Sequence, residues 1–166
     1  LIFSGGRLNA YATLRAMDSG GSYPVNPEDK YENNDTVQIV DQRDVGSAWS
    51  PNLGLLHATK TISNLNFSDD PVDWFKFSMN ATGESSNEVW VESEGGQLGL
   101  AVYRGDQLEL VDEADRSLDT LRVSLENQPA DDYYVKVFAN KSDDHLRYTM
   151  SINPIFNIGD AYEEND

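Results

Sequence analysis

From about residue 55 to residue 153 the chain alternates apolar and polar positions with a period of two. Phe75, Phe77 and Met79 fall on one face of a strand, with Trp74 and Lys76 on the other. Val89 and Val91 flank Trp90. Further sets are Leu98, Leu100 and Val102; Leu121, Val123 and Leu125; Tyr133, Val135 and Val137; and Leu146, Tyr148, Met150 and Ile152. Such alternation marks a strand that buries one face and wets the other. Turn signals separate the sets: Asn80-Ala81-Thr82-Gly83, Gly95-Gly96, Gly105-Asp106, Asn127-Gln128-Pro129 and Asn140-Lys141-Ser142-Asp143. Short strands at roughly ten-residue spacing predict an all-β domain, an antiparallel sandwich or barrel.

The flanks read differently. Residues 7–17 are rich in helix formers, and Leu8, Tyr11 and Ala12 fall on one helical face. Asp18-Ser19-Gly20-Gly21 stops that pattern, and the stripe has no partner nearby, so it is expected to pack on an upstream domain. Residues 22–35 form a polar stretch in which Pro24 and Pro27 exclude a regular helix. One internal echo stands out: Asp29-Lys30-Tyr31-Glu32-Asn33-Asn34-Asp35 returns as Asp160-Ala161-Tyr162-Glu163-Glu164-Asn165-Asp166, five matches in seven at an offset of 131. That offset is the size of a whole sandwich, so a second copy is expected to begin near the end of the chain. The expected division is a helix of a preceding domain at 1–21, a linker at 22–28, the β-sandwich at 29–153, and a linker with the start of another copy at 154–166.

The 166 residues carry 12 basic and 29 acidic side chains, a formal charge of −17 and a pI near 4.2. That balance argues against nucleic acid and anionic membrane as partners, because both recruit clustered Lys and Arg. A hydrophobic fraction of 39% suffices for a packed core. With no cysteine there is neither a disulfide nor a thiolate metal site.

Three motifs in order resemble the bacterial pre-peptidase C-terminal (PPC) domain. They are Asp29-x-Tyr31-Glu32-x-Asn34-Asp35-Thr36, Asp70-x-x-Asp73-Trp74-Phe75-x-Phe77 and Tyr133-Tyr134-Val135-x-Val137. The resemblance covers about residues 28–153. Gly6-Arg7-Leu8-Asn9-Ala10-Tyr11-Ala12-Thr13-Leu14 is similar to the last helix of subtilisin-like serine peptidases. Together these imply a jelly-roll-like β-sandwich, non-catalytic, secreted, and attached to a subtilisin-like catalytic domain. Two roles follow from the resemblance: binding an insoluble protein substrate such as collagen, or aiding maturation and secretion before being cleaved off.

No catalytic residue is identified. His57 and His145 are the only imidazoles, and neither lies in a peptidase motif. Metal-protease, Walker and dinucleotide motifs are absent too. Calcium has better candidates, since the ion takes six to eight hard oxygen ligands. Glu32, Asn34 and Asp35 lie within four residues, and Asp70 and Asp73 precede the Trp-Phe strand. Collagen-binding relatives hold calcium from matching places, so the resemblance implies Glu32, Asn34, Asp35, Asp70 and Asp73 as ligands. Those relatives carry a further acid where this chain has Lys30, and Asp29 is the nearest substitute. The plainer alternative is that these acids are solvated turn residues. Trp74, Trp90 and Tyr134 alternate out of phase with the apolar sets and are expected to be exposed, as contacts for a protein ligand.

Overall fold

A computed structural model describes residues 29–67, 71–114, 116, 118, 120–139 and 146–157. The expected helix at 1–21, the linker at 22–28 and the second-copy echo at 160–166 lie outside the described residues.

A short helix, α1 (Val37–Asp41), precedes nine strands: β1 (Asn52–Leu55), β2 (Lys60–Asn66), β3 (Val72–Met79), β4 (Glu88–Ser93), β5 (Leu98–Arg104), β6 (Glu109–Glu113), β7 (Thr120–Ser124), β8 (Asp131–Ala139) and β9 (Arg147–Asn153). One sheet runs β1-β3-β8-β5-β6 and the other β2-β9-β4-β7. Without β1, the strand orders 3-8-5-6 and 2-9-4-7 describe a jelly roll, in which successive strands mostly cross between sheets. The expected β-sandwich is therefore present. The pairings are antiparallel except for β1, which lies parallel to β3.

The six apolar sets form the core between the sheets, and every member is at most 5% exposed. Register explains this. Phe75 pairs with Val135 and Phe77 with Tyr133, so whole rows of side chains point inward together.

Two features depart from the sequence reading. β6, the edge strand of the five-stranded sheet, carries Asp112 and Glu113 and is not among the alternating sets. Carboxylates suit that place, since a charged edge discourages pairing with another chain. Helix α1 was not expected either. Thr36 caps it by accepting from the Ile39 amide at 3.3 Å. The helix packs on β3 and buries Val40 completely.

Candidate metal centre

The leading segment is tied down on both sides. The Asp29 carboxylate accepts from the Tyr31 amide at 2.8 Å and from the Asn66 amide, at the end of β2, at 3.0 Å. Tyr31 then buries its ring edge-to-face on Phe75, centroids 5.8 Å apart. Three residues on, the Asn34 carbonyl accepts from the Trp74 amide at 2.8 Å. The stretch 32–34, whose Glu32–Asn33 peptide is cis, is thereby held against the start of β3.

Asp73 is the second residue of β3 and shares the inward face of Phe75 and Phe77. Only 1% of it is exposed. From the opposite sheet, Tyr148 of β9 donates its hydroxyl to Asp73 Oδ2 at 2.5 Å. The site therefore closes one end of the core, bridging both sheets. The Asn34 amide, also 1% exposed, reaches Asp73 Oδ1 at 3.3 Å and Glu32 Oε2 at 3.1 Å. Two arrangements satisfy this geometry. With its nitrogen turned toward the carboxylates, Asn34 donates to both. With its oxygen turned toward them, three oxygens face one another, an arrangement that a cation between them would stabilise. Beside them in sequence, Asp35 Oδ1 is buried with no hydrogen-bond partner among the described residues.

The electrostatics agree with concentrated negative charge. Burial first, then the neighbouring Asp73 carboxylate, pushes the Tyr148 hydroxyl far above the usual tyrosine range, with Asp29 and Glu32 adding to it. Burial also raises the Asp29 carboxyl above its ordinary value, against the two backbone amides it accepts from. Asp29 is thus engaged as a tether for the segment. Lys30 does not neutralise the oxygens: its ammonium sits 4.1 Å from the Trp49 ring centroid.

Of the five expected ligands, the fold brings Glu32, Asn34 and Asp73 together, and Asp35 follows Asn34 directly. Asp70 lies outside the described residues. Among the described residues no three acidic or imidazole side chains converge, so the cluster is two carboxylates and an amide. Tyr148 is the member that sequence reasoning missed. Its hydroxyl was the available signal, a polar atom in an otherwise apolar inward row.

The three aromatics expected at a ligand surface do not share one. Trp74 lies on the outer face of the five-stranded sheet, 5.5 Å from Tyr103, with the Lys136 ammonium 5.5 Å from its ring. Trp90 lies on the outer face of the other sheet, beside Arg122. None of the three is fully exposed: Trp74 and Trp90 are half-buried, and Tyr134 is fully buried. Its hydroxyl donates to Asp41, the last residue of α1, at 2.8 Å, because that helix covers this part of the sheet. His57 packs on Phe156 with centroids 4.1 Å apart, and His145 lies outside the described residues.

No protein-family model matches the chain, and neither does any curated protein. Among solved structures, the chain is similar to the pre-peptidase C-terminal domain of a collagenase from Bacillus anthracis, at 17% identity and a TM-score of 0.42. That match covers 59% of this chain and 89% of the other. It is also similar to PliG, a periplasmic inhibitor of g-type lysozyme from Aeromonas hydrophila, at 10% identity and a TM-score of 0.31. There the coverage is 57% and 81%.

Proposed function

We propose that this chain is a non-catalytic accessory domain of a secreted subtilisin-like peptidase, and that its leading segment clasps a calcium ion. The observation that carries the calcium reading is the approach of the Asn34 amide to both Glu32 and Asp73 in a buried place. Glu32, Asn34, Asp35 and Asp73 would hold the ion, with Asp70 and backbone carbonyls or water completing its shell. Hard oxygen donors, two or more of them anionic, fit calcium rather than a softer metal. The bound ion supplies positive charge that offsets the crowded carboxylates. The residues themselves fix where the chain enters the sandwich. An ion at ~100 times its dissociation constant adds about 2.7 kcal/mol of stability. Calorimetry in calcium chloride and then in chelator tests this, and coincident melting curves would sink the calcium site.

The binding role rests on the outer face of the five-stranded sheet. Trp74 and Tyr103 form an aromatic pair there with Lys136 beside them. Aromatic and cationic side chains on an open sheet face suit an extended fibrous protein such as collagen. Trp74→Ala should reduce adsorption to insoluble collagen, and Trp90→Ala, on the opposite face, should not. If neither changes adsorption, while deleting the domain lowers the yield of the attached peptidase, the domain serves maturation instead.

A further inference from the structure

A second site is built around Trp49, apart from the metal centre. The loop between α1 and β1 is closed by backbone hydrogen bonds from Gly46 to Asn52 at 2.7 Å and from Ser50 to Ser47 at 3.1 Å. Those bonds hold Trp49 at φ +65°, a left-handed conformation that a bulky side chain rarely adopts. The consequence is that a large indole stands 51% exposed at the mouth of a cavity of about 250 Å³. Tyr31, Leu53 and Leu56 line the cavity, and Lys60 stands at it. Tyr31 meets Trp49 edge-to-face, with centroids 6.0 Å apart. Lys30 lies over the indole from outside. Neither Lys30 nor Lys60 forms an ion pair with a described residue, although the chain carries an excess of 17 negative charges.

We propose that this cavity is a recognition pocket for an extended acidic peptide segment, taking one aromatic side chain against Trp49 and Tyr31 and its neighbouring carboxylate between Lys30 and Lys60. The cavity has room for one ring-bearing side chain. Lys60 in the cavity lining and Lys30 over the indole, neither in an ion pair with a described residue, complement an anionic ligand more strongly than a neutral sugar. The backbone strain at Trp49 has no use in the core, since the ring is outside it.

The test is an NMR titration of the full chain in calcium chloride with N-acetyl-tyrosyl-glutamate amide, following the Trp49 indole N–H. N-acetyl-tyrosyl-lysine amide and cellobiose serve as comparisons. The expected result is a saturable shift in the millimolar range for the glutamate peptide, weaker binding of the lysine peptide, and none of the sugar. Trp49→Gly should abolish the shifts of the surrounding amides without lowering the melting temperature, because glycine accepts the left-handed backbone. Lys60→Glu should weaken the affinity about threefold, the size of one exposed ion pair. The absence of a saturable shift, an unchanged response in Trp49→Gly, or equal binding of the lysine peptide or the sugar would overturn the proposal.

Discussion

The hydroxyl of Tyr148 in one sheet donates to Asp73 in the other, 2.5 Å away, where both side chains are buried. A hydrogen bond to a buried charged group contributes more than a neutral one, about 1.5–3 kcal/mol. Tyr148→Phe keeps the ring stacked on Phe67, 5.2 Å between centroids, and removes only the donor. Stability should fall by about 2 kcal/mol in urea denaturation with calcium present. The variant should also need more calcium to reach its full melting temperature, because Asp73 loses a fixed donor that orients it. An unchanged midpoint would mean that the hydroxyl does not hold the carboxylate.

Asn34 is neutral, and it stands between Glu32 and Asp73. Asn34→Asp replaces an amide that can donate with a third carboxylate. Without metal this places like charges 3.1–3.3 Å apart in a buried site, so the chelated variant should melt well below the parent chain. With calcium the added charge becomes a ligand, and the melting temperature should return to the parental value or above. The calcium-induced rise in melting temperature should therefore be larger in the variant. A smaller rise would contradict a cation between these oxygens.

On the outer face, Lys76 reaches Asp41 at 3.1 Å and Asp132 at 3.0 Å beneath α1. Burial pushes the Asp132 carboxyl up, but the Ser78 hydroxyl and the Lys76 ammonium together outweigh it and hold it below the usual 3.8. Burial disfavours the Lys76 charge, yet Tyr134, Asp132 and Asp41 overcome it and lift the group above the usual 10.5. The signs follow by linkage. Stability from Asp132 is complete above 3.8 and drains away as pH falls through its lowered folded value. Stability from Lys76 is complete below 10.5 and drains away as pH rises through its raised folded value. Lys76→Met should lower the urea midpoint by a constant amount across the plateau between, and by less at either extreme. A difference that persists undiminished into strong acid would show that the cluster's charges contribute nothing.

The strands were legible because their signal is local. Each inward row, such as Tyr133, Val135 and Val137, repeats every second residue, and nothing distant is needed to read it. What the alternation could not reveal was which outer face a residue joins. Trp74 and Trp90 have the same phase relative to the core, yet jelly-roll crossing sends β3 and β4 to different sheets. Tyr134 has that phase too, but a five-residue helix 93 positions earlier covers it. The acidic candidates were legible by type and spacing. The roles of Asp29 as a tether and Tyr148 as a donor were not, since each depends on a partner in another strand, Asn66 and Asp73.

Gly83 carries the last prediction, and its reason is space rather than turn geometry. The segment after β3 returns beside the end of β7, where the Gly83 amide donates to Gln128 at 2.8 Å and its carbonyl accepts from Asn127 at 2.9 Å. A Cβ placed on Gly83 would lie 2.0 Å from the Leu125 carbonyl oxygen. That neighbour is backbone, held in its turn by the Gln128 amide, and its own side chain is fully buried, so it cannot swing aside. Gly83→Ala must therefore part the two segments, breaking hydrogen bonds as well as packing. Overpacking of this kind costs about 1–3 kcal/mol, and the lost bonds place the effect at the upper end. Gly95, where a Cβ meets nothing within 4 Å, provides the control: Gly95→Ala should leave the urea midpoint nearly unchanged. Equal effects at the two positions would show that the loss does not come from contact with Leu125.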